Sequence, residues 1–343
     1  MTIRLAFAGA GFIANYHARA ARRIPGVELA AVVNLYDEPM TEFAARYGIP
    51  RTYHKLDDLL ADGGVDAISI NTPNALHAPQ AIAALQAGLH VLVEKPMAMN
   101  AAEAGAMLAA SRQAGKTLMV GHCWRFDPEV RWLKAQVDAG KLGKIIRTKG
   151  YGVHANWGPA GWFTQKPLAG GGALADMGIH ALDTARFLLG DPLPVSVYAR
   201  IGTHYGTYDV DDTGLLLVSW DNGATSYIES GWWQPQMDGP EACTQLYGQS
   251  GFGRLFPTRL DLPRPAESRV ETLDGGFTHP RPDHCPQSMY DDQMAYFIEC
   301  VHQSVTPVPG GREGWINMQI VDAAYESARS GQAVHINVSE ENV

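Results

Sequence analysis

The chain has 343 residues, 46% of them hydrophobic and 18% charged, so it can bury a substantial core and is not a disordered polymer. At about 150 residues per domain, this length predicts two domains. The net charge of −9 offers no basic excess to neutralise phosphates, which argues against nucleic acid or an anionic membrane as a general partner. No stretch approaches the ~18 consecutive apolar residues that a membrane-spanning helix needs.

The cysteines and the N-terminus indicate the compartment. The four cysteines are dispersed without a Cys-x-x-Cys pair, which disfavours a disulfide framework or a structural zinc site and favours a reducing compartment. The apolar run after Arg4 could be read as a signal peptide, but it continues into a glycine turn followed at once by Asn15 and His17. We therefore expect a cytoplasmic protein.

The first 120 residues alternate short apolar strands with helices. Strands are predicted at Ile3–Ala8, Leu29–Val33, Asp66–Ile70, Val91–Val93 and Leu118–Val120. Helices are predicted at Phe12–Ile24, Pro39–Tyr47 and His77–Ala87, and a further one is marked by Asn100, Glu103 and the closing Gly115. Strands that are apolar on both faces and alternate with helices are typical of a parallel sheet covered on both sides. The sequence predicts an α/β domain with a doubly wound parallel sheet over residues 1–121.

The pattern changes after Asp127-Pro128. Strands are predicted in succession at Ile145–Tyr151, Val195–Ile201, Gly214–Trp220 and Thr225–Ser230, with helices near Ala173–Leu189, Met289–His302 and Arg312–Ala328. Successive strands favour a large, mostly antiparallel open sheet with helices on one face, an α+β domain over residues 122–343. Prolines and glycines are dense between Trp232 and Gln287, so we expect long loops there.

A glycine-rich loop separates the first predicted strand from the first predicted helix. Residues 9–14 read GAGFIA, the pattern G-x-G-x-x-A. Gly9 permits a tight turn, Gly11 lets the backbone approach a pyrophosphate, and Ala14 lets the helix pack closely on the strand. The helix N-terminus adds N–H donors. This context favours a dinucleotide-binding Rossmann domain over a structural glycine turn, and the predicted cofactor contacts are Gly9, Gly11, Phe12 and Ile13.

The end of the second strand governs the choice between NAD and NADP. An acidic residue there would bind the ribose 2′-hydroxyl, and an arginine nearby would accept a 2′-phosphate. This chain has the neutral Asn34 followed by Leu35, and Asp37 can be a helix cap instead. The cofactor is therefore NAD or NADP, and the lack of an adjacent Lys or Arg favours NAD.

Glu94-Lys95-Pro96 follows the strand Val91–Val93. Ligands of open parallel sheets lie at the carboxyl ends of the strands, where Lys95 would meet a cofactor. A desolvated ammonium there could polarise a substrate oxygen. A lysine that is merely paired with Glu94, or whose ammonium reaches out to solvent, is the structural alternative.

Residues 170–183, GGGALADMGIHALD, are the second candidate for chemistry. The three glycines suggest a flexible approach of the backbone. In a helix, Asp176 and His180 would share one face and could form a proton-transfer pair. A capping aspartate with a core histidine is the structural alternative, and a metal site lacks a further cluster to complete it.

Taken together, these motifs resemble the glucose–fructose oxidoreductase/inositol 2-dehydrogenase/rhizopine catabolism (Gfo/Idh/MocA) family, in order and spacing over almost the whole chain. Two further segments match that family's pattern: 71–77, NTPNALH, and 125–128, RFDP, although Cys123 stands where the latter motif often has Asn.

The resemblance implies an NAD(P)-dependent oxidoreductase acting on a hydroxyl or keto carbon of a sugar, inositol or related polyol. It implies a catalytic set of Lys95, Asp176 and His180, and a C-terminal sheet used for homodimer or homotetramer contacts. Further expected cofactor contacts are Asn34, Asn71, Thr72, Asn74, His77, Glu94, Lys95, Cys123 and Trp162. Expected substrate contacts are Lys95, Arg125, Trp162, Asp176 and His180. No metal is expected.

Aromatic side chains that could stack on a sugar ring are Tyr151, His154, Trp157, Trp162, Phe163, Trp232 and Trp233, of which Trp162 is the favoured candidate. Core or interface packing is the alternative for most of them. Three other functions stay open: a redox-neutral NAD-dependent glycoside hydrolase or lyase on the same fold, a non-catalytic dinucleotide-binding regulator, and a metal-dependent hydrolase using Asp176 and His180.

Overall fold

The computed structural model describes residues 2–235, 241–281 and 285–339. By their contacts these residues form two compact units, the first made of 2–123 and 285–315 and the second of 124–235, 241–281 and 316–339. The sequence pattern, in contrast, divides the chain once, after residue 121. Residues 285–315 join the first unit because their helix binds the first helix of the chain: Gln287 Nε2 donates to the carbonyl of Tyr16 over 3.0 Å.

The strands alternate with helices in the first part of the chain and follow one another in the second. They are β1 Ile3–Ala8, β2 Val27–Val33, β3 Arg51–Tyr53, β4 Ala67–Ile70, β5 His90–Glu94, β6 Leu118–Gly121, β7 Ile145–Ala155, β8 Pro194–Gly202, β9 Thr213–Trp220, β10 Thr225–Gln234, β11 Ala242–Gly248, β12 Phe252–Arg254, β13 Arg259–Arg264, β14 Arg269–Leu273 and β15 Val334–His335. The predicted strands are all present, within a few residues at their ends.

The helices are α1 Phe12–Ala21, α2 Asp37–Tyr47, α3 Leu56–Asp62, α4 His77–Gln86, α5 Ala101–Ala114, α6 Pro128–Asp138, α7 Lys166–Ala169, α8 Ile179–Leu188, α9 Gln287–Gln303 and α10 Gly311–Ser330. The predicted cap of α5 is confirmed, because Asn100 accepts a hydrogen bond from the Glu103 amide and Gly115 is left-handed. Within the described residues, every helix is too short or too polar to cross a membrane.

The first unit contains a six-stranded sheet in the order β3-β2-β1-β4-β5-β6, with every pairing parallel. Strands β1, β4 and β5 are neighbours. Ala8 pairs with Ile70 and Ile70 with Val93, so these strands end side by side. Their side chains are almost all buried, as a sheet covered on both faces requires. The predicted doubly wound sheet is confirmed.

The second unit contains a nine-stranded sheet in the order β14-β13-β12-β11-β7-β10-β9-β8-β15. All pairings are antiparallel except that of β7 with β10, so the predicted open, mostly antiparallel sheet is confirmed. Strand β9 alternates: Leu216 and Val218 are buried, while Leu215 and Leu217 are exposed on the other face. Helix α8 packs on β7, β10 and β11.

The expectation of long loops between Trp232 and Gln287 is wrong for residues 242–273, whereas residues 274–281 form neither strand nor helix. This stretch contains β11, β12, β13 and β14, a run of short antiparallel strands that extends the sheet to its edge. Its glycines fit a sheet because they pack closely: a Cβ on Gly253 would lie 3.1 Å from the side chain of Leu133. Pro263 lies within β13 beside the edge strand β14. Density of glycine and proline alone could not distinguish such strands from loops.

Candidate functional site

The glycine loop after β1 is held against the end of β4. The Gly9 amide donates to the carbonyl of Val33 over 2.8 Å, and Gly9 has a φ of +93°. A Cβ there would lie 2.6 Å from the carbonyl oxygen of Asn71, so both the conformation and the space require glycine.

Gly11, in contrast, borders open space. It is the N-cap of α1, no side chain of the described residues caps this helix, and a Cβ at Gly11 would meet nothing within 4 Å. Phe12 is 72% exposed beside it. An uncapped helix N-terminus with an approachable backbone fits the pyrophosphate of a dinucleotide, because the first-turn N–H groups are donors for an anion.

The segment after β4 is tied to its neighbours on both sides. The backbone N–H of Asn71 donates to the carbonyl of Ala8 over 2.7 Å, and Thr72 Oγ1 donates to Gln80 Oε1 over 2.7 Å. The ring nitrogens of the buried His77 lie 2.8 Å from the carbonyl oxygens of Thr72 and Pro96. These contacts fix the loops after β4 and β5 relative to each other.

Asn74 lies in the same segment, buried in a short 3₁₀ turn, Asn74–Leu76. Asn34, at the end of β2, donates from Nδ2 to the carbonyl of Tyr36 over 2.9 Å, so it organises the turn that leads into α2. Leu35 and Tyr36 in that turn are 71% and 68% exposed.

Glu94 is the last residue of β5, and Lys95 follows it. Glu94 is buried, and its Oε1 lies 3.1 Å from Nε2 of His17, whose Nδ1 lies 2.8 Å from Ser69 Oγ. Burial alone would raise the pKa of Glu94, but the hydrogen bond and charge of His17, with the charge of Lys95, lower it below its ordinary value. Lys95 is half-buried and its amide donates to Glu94 Oε2 over 3.2 Å.

Cys123 is the last residue of the N-terminal segment of the first unit. It is buried, and burial, with the nearby Glu94 charge, raises the pKa of its thiol well above the ordinary value. The thiol is therefore uncharged at physiological pH. It can offer only a weak hydrogen bond where the family often has the amide of Asn.

In the second unit, the glycine run 170–172 is packed rather than flexible. A Cβ on Gly172 would overlap the carbonyl of Asp211, and one on Gly171 would overlap the hydroxyl of Tyr325. The Asp211 carboxylate accepts from the amides of Gly172 and Leu174 over 2.7 and 2.8 Å, and from Tyr325 over 2.7 Å. Asp211 therefore fixes the chain that leads to the predicted Asp–His pair.

The predicted helix Ala173–Leu189 is present in two parts, a π-helical turn at Leu174–Gly178 followed by α8. Asp176 lies in the π-helical turn and His180 in the first turn of α8. The turn packs tightly on the sheet, since a Cβ on Gly178 would lie 2.7 Å from Ser230 Cβ. Such single π turns within helices occur frequently at functional sites.

The carboxylate of Asp176 is held by an aromatic donor and faces a histidine. Trp232 is fully buried, and its Nε1 donates to Asp176 Oδ2 over 3.0 Å. The same oxygen lies 3.6 Å from Nε2 of His154. His180 is 7% exposed and stacks on Trp124, with ring centroids 4.7 Å apart and planes 16° from parallel. Both members of the predicted pair are therefore held by aromatic neighbours.

Arg125 lies in a buried ion network. Its Nε and Nη2 donate to Asp183 over 2.7 and 2.8 Å, and its Nη1 and Nη2 donate to Asp191 over 2.9 and 2.7 Å. Asn317 donates to Asp183 as well. Since Asp183 is in α8, this network fixes the helix that carries His180. Because the guanidinium donors of Arg125 bind the carboxylates of Asp183 and Asp191, Arg125 is not among the proposed substrate contacts.

The predicted aromatic candidates separate by exposure. Trp232 is buried, whereas Trp157 and Trp233 are 45% and 40% exposed. Trp162 lies in a 3₁₀ turn, Gly161–Thr164, half-buried, with its ring stacked on Phe163 at 3.9 Å between centroids. The described residues contain no group of three or more His, Cys, Asp or Glu side chains that could hold a metal ion.

Several functional contacts escaped the sequence analysis. Trp124, Asp211 and Glu241 had no motif to mark them, and Trp232 was only one of several aromatic candidates. Trp124, Asp211 and Trp232 contact residues 172–180 from 37 to 56 residues away along the chain, and Glu241 contacts His154 from 87 residues away. The one available signal was the pair Asp211-Asp212, two acidic residues shortly before the predicted strand Gly214–Trp220.

Two family models match the chain. The oxidoreductase family with an NAD-binding Rossmann fold (GFO_IDH_MocA) matches residues 3–122, and the GFO/IDH/MocA C-terminal domain matches residues 130–252. The chain is 33% identical to D-xylose 1-dehydrogenase (NADP(+)) 2 of Haloferax volcanii over 319 residues, which cover 90% of this chain and 92% of the relative. It is 28% identical to 1,5-anhydro-D-fructose reductase of Ensifer adhaerens, and the match covers 96% of this chain and 97% of the relative.

The fold is shared with levoglucosan dehydrogenase in complex with NADH and L-sorbose. That structure has a TM-score of 0.89 and 24% identity, and the match covers 98% of this chain and all of that one. The glycine loop, the strand-end lysine and the two sheets thus occur together in a chain that matches both family models. The chain belongs to the Gfo/Idh/MocA family of NAD(P)-dependent oxidoreductases.

Proposed function

We propose that this protein transfers hydride between the nicotinamide of NAD(H) and a CH–OH carbon of a sugar, inositol or related cyclic polyol. A sugar-class substrate is supported by the relatives, which are named for D-xylose and 1,5-anhydro-D-fructose. A bound nicotinamide supplies the hydride acceptor, and this chain supplies binding, orientation and proton transfer.

The residues act in three roles. His180 accepts the proton of the substrate hydroxyl on an imidazole nitrogen, and the stack on Trp124 keeps its ring plane fixed. The Lys95 ammonium donates a hydrogen bond to the same oxygen and stabilises its developing negative charge. Asp176, held by Trp232, accepts a hydrogen bond from a neighbouring hydroxyl. In the reverse direction His180 returns the proton to the alkoxide.

One observation carries the proposal more than any other: the alignment of strand ends in the first unit. Ala8, Ile70 and Val93 pair in one row, so Gly9, Asn71 and Lys95 all follow the ends of adjacent strands at the same edge. The carboxyl edge of a parallel sheet is where dinucleotides bind. A half-buried lysine at that edge is suited to polarise an oxygen beside the cofactor.

The test measures turnover of Lys95→Met, Asp176→Asn and His180→Asn against a panel of sugars and inositols, with NADH binding followed separately by fluorescence. We expect kcat to fall by at least about 100-fold in the lysine and histidine variants, because each removes a group used in the transition state. For Asp176→Asn and His180→Asn the Kd for NADH should stay within about threefold. Trp162→Phe tests the predicted aromatic contact through KM.

A fall of less than about tenfold in both Lys95→Met and His180→Asn contradicts the roles assigned to them. Consumption of a glycoside without net change in NADH absorbance points to the redox-neutral lyase instead. Binding of NADH with no turnover of any panel member favours the regulator.

We infer a preference for NAD over NADP. The first turn of α2 carries Asp37 and Glu38, and a cavity of about 260 Å³ beside Ala10 is lined by Glu38 and Glu42 together with Arg46. Carboxylates here disfavour a 2′-phosphate, and Arg46 is engaged with Asn15 Oδ1 over 2.9 Å. The ratio of kcat/KM for the two cofactors measures this preference.

We also propose that the exposed face of the second sheet pairs with other copies of this chain, giving a homodimer or homotetramer. The support is its apolar surface: Leu215 and Leu217 are 38% and 47% exposed, and Leu217 has Tyr198 and Tyr227 as cross-strand neighbours. Sedimentation of Leu217→Glu, compared with Val305→Glu in the segment after α9, separates this face from an exposed apolar position outside the sheet. The four free thiols support the proposed cytoplasmic location.

A further inference from the structure

A histidine lies between two carboxylates, one of which belongs to the proposed catalytic Asp176. His154, near the end of β7, faces Asp176 Oδ2 through Nε2 over 3.6 Å and Glu241 Oε2 through Nδ1 over 3.4 Å. The side chain of His154 is 11% exposed, that of Asp176 is 12% exposed and that of Glu241 is 25% exposed. They come from three separate segments of the chain, so their approach is a product of the fold.

Glu241 is itself fixed by two short hydrogen bonds. Its Oε1 accepts from Nε1 of Trp157 and from the amide of Ala155, both over 2.7 Å. The ring of Trp157 also stacks on His154, with centroids 3.6 Å apart and planes 26° from parallel. Trp157 therefore holds the carboxylate through its N–H and the imidazole through its face.

These contacts leave His154 little freedom. One ring face is covered by Trp157, and each ring nitrogen faces a carboxylate oxygen. Nε2 of His154 and Nε1 of Trp232 approach the same oxygen of Asp176. A carboxylate approached at one oxygen by two nitrogen groups has its rotation restricted, and its other oxygen then keeps a constant direction.

Placing two carboxylates beside a partly buried histidine costs free energy. Partly burying two carboxylates removes them from water, and the cost is offset only by good partners. Holding a functional side chain in its productive geometry is one task that offsets such a cost.

We propose that His154 is a positioning residue that orients the Asp176 carboxylate toward the substrate, and that Glu241 and Trp157 hold His154 in place for this task. The inference rests on the proposed role of Asp176. It adds Glu241, Trp157 and His154 as a second layer, of which none touches the reacting atoms.

The matched pair His154→Gln and His154→Asn tests the direction of the contact. The amide nitrogen of Gln reaches about the position of Nε2, toward Asp176, whereas that of Asn reaches about the position of Nδ1, toward Glu241. We expect His154→Asn to lower kcat by about tenfold or more, and His154→Gln to retain most of it. Equal losses in both variants, or a larger loss in the Gln variant, would overturn the proposal.

A double-variant cycle separates this proposal from the proposed function. If His154 acts through Asp176, His154→Asn in an Asp176→Asn background lowers kcat by less than about twofold further. Independent, multiplied losses contradict the positioning role. If Asp176→Asn alone keeps nearly full kcat, the proposed function fails at that residue, whatever the His154 variants do.

Two measurements guard against misfolding. The Kd for NADH and the thermal unfolding midpoint should stay near the wild-type values in both His154 variants, and the exposed His302→Asn at the end of α9 serves as the control for a histidine-to-asparagine change. Glu241→Gln, which keeps an oxygen to accept from Trp157 and Ala155, should retain more kcat than Glu241→Leu. The reverse order would show that Glu241 does not hold His154.

Discussion

The candidate functional residues of the first unit and those of the second are held in different ways. In the first unit the site is made mainly of backbone: a glycine turn, a helix N-terminus and the ends of β1, β4 and β5, which register brings into one row. In the second unit it is made of side chains, where Asp176 meets Trp232 and His154 from segments 56 and 22 residues away.

This difference teaches where local sequence is informative. A backbone site needs small residues at fixed spacing, so it leaves a short pattern that can be read along the chain. A side-chain site needs only that the fold bring the right groups together. Many sequences satisfy that requirement, and none of them has to show it as a motif.

The first way to sharpen the comparison is to remove a buried charge from the second unit. Arg125→Met removes both hydrogen bonds of this guanidinium to the buried Asp183, whereas Asp191 keeps Arg186 at 3.4 Å. We expect the free energy of unfolding to fall by about 3–5 kcal/mol, since an uncompensated buried charge is costly. Urea unfolding measures it, and Arg269→Met, in an exposed pair with Glu267, should cost less than about 1 kcal/mol. A similar small cost for both variants would show that the network does not fix α8.

The second prediction concerns the buried carboxylate of the first unit. Glu94→Gln removes the carboxylate charge that lies 3.1 Å from the His17 ring nitrogen, and we expect a loss of about 1.5–3 kcal/mol at neutral pH. The folded-state pKa of Glu94 is lowered from 4.5, so its contribution is fully present above about pH 4.5 and is lost as the pH falls through the folded-state pKa.

The difference in unfolding free energy between wild type and Glu94→Gln should therefore shrink on acidification below pH 4.5. Urea unfolding at several pH values measures it. A difference that stays constant or grows as the pH falls would contradict the lowered pKa.

The third prediction has the smallest effect on the fold and acts on the cofactor. A side chain at Gly11 meets no protein atom within 4 Å, so Gly11→Ala should change the unfolding free energy by less than about 1 kcal/mol. The same methyl group would occupy the approach to the pyrophosphate, and the Kd for NADH should rise at least about tenfold. Unchanged NADH binding, measured by fluorescence, would place the dinucleotide elsewhere.

Sequence reasoning predicted the first unit more fully than the second. The strand and helix alternation predicted the parallel sheet, and the capping pattern at Asn100 predicted the start of α5. It missed β3 and α3, because a three-residue strand and a seven-residue helix are too short for a clear periodicity. In the second unit it took the glycine- and proline-rich stretch from β11 to β14 for loops.

The roles of Lys95, Asp176 and His180 stay predictions, and the structure adds what holds them. The glycines before Asp176 suggested flexibility, but they are there because Asp211 and Tyr325 pack against them. Arg125 suggested substrate binding, but its partners are two carboxylates from α8 and the turn after it. The sequence shows which residue is present at a position. Which residue it contacts depends on chain segments that are far away in the sequence.

By itself, the sequence determined the fold class, the dinucleotide loop and the family, because these depend on local periodicity and on residues at short, fixed spacing. The tertiary structure alone decided that a π-helical turn carries Asp176, that Trp232 and His154 face its carboxylate, and that Trp124 stacks on His180. These contacts join residues far apart in the chain, and their formation depends on sheet register and close packing, which no local pattern encodes.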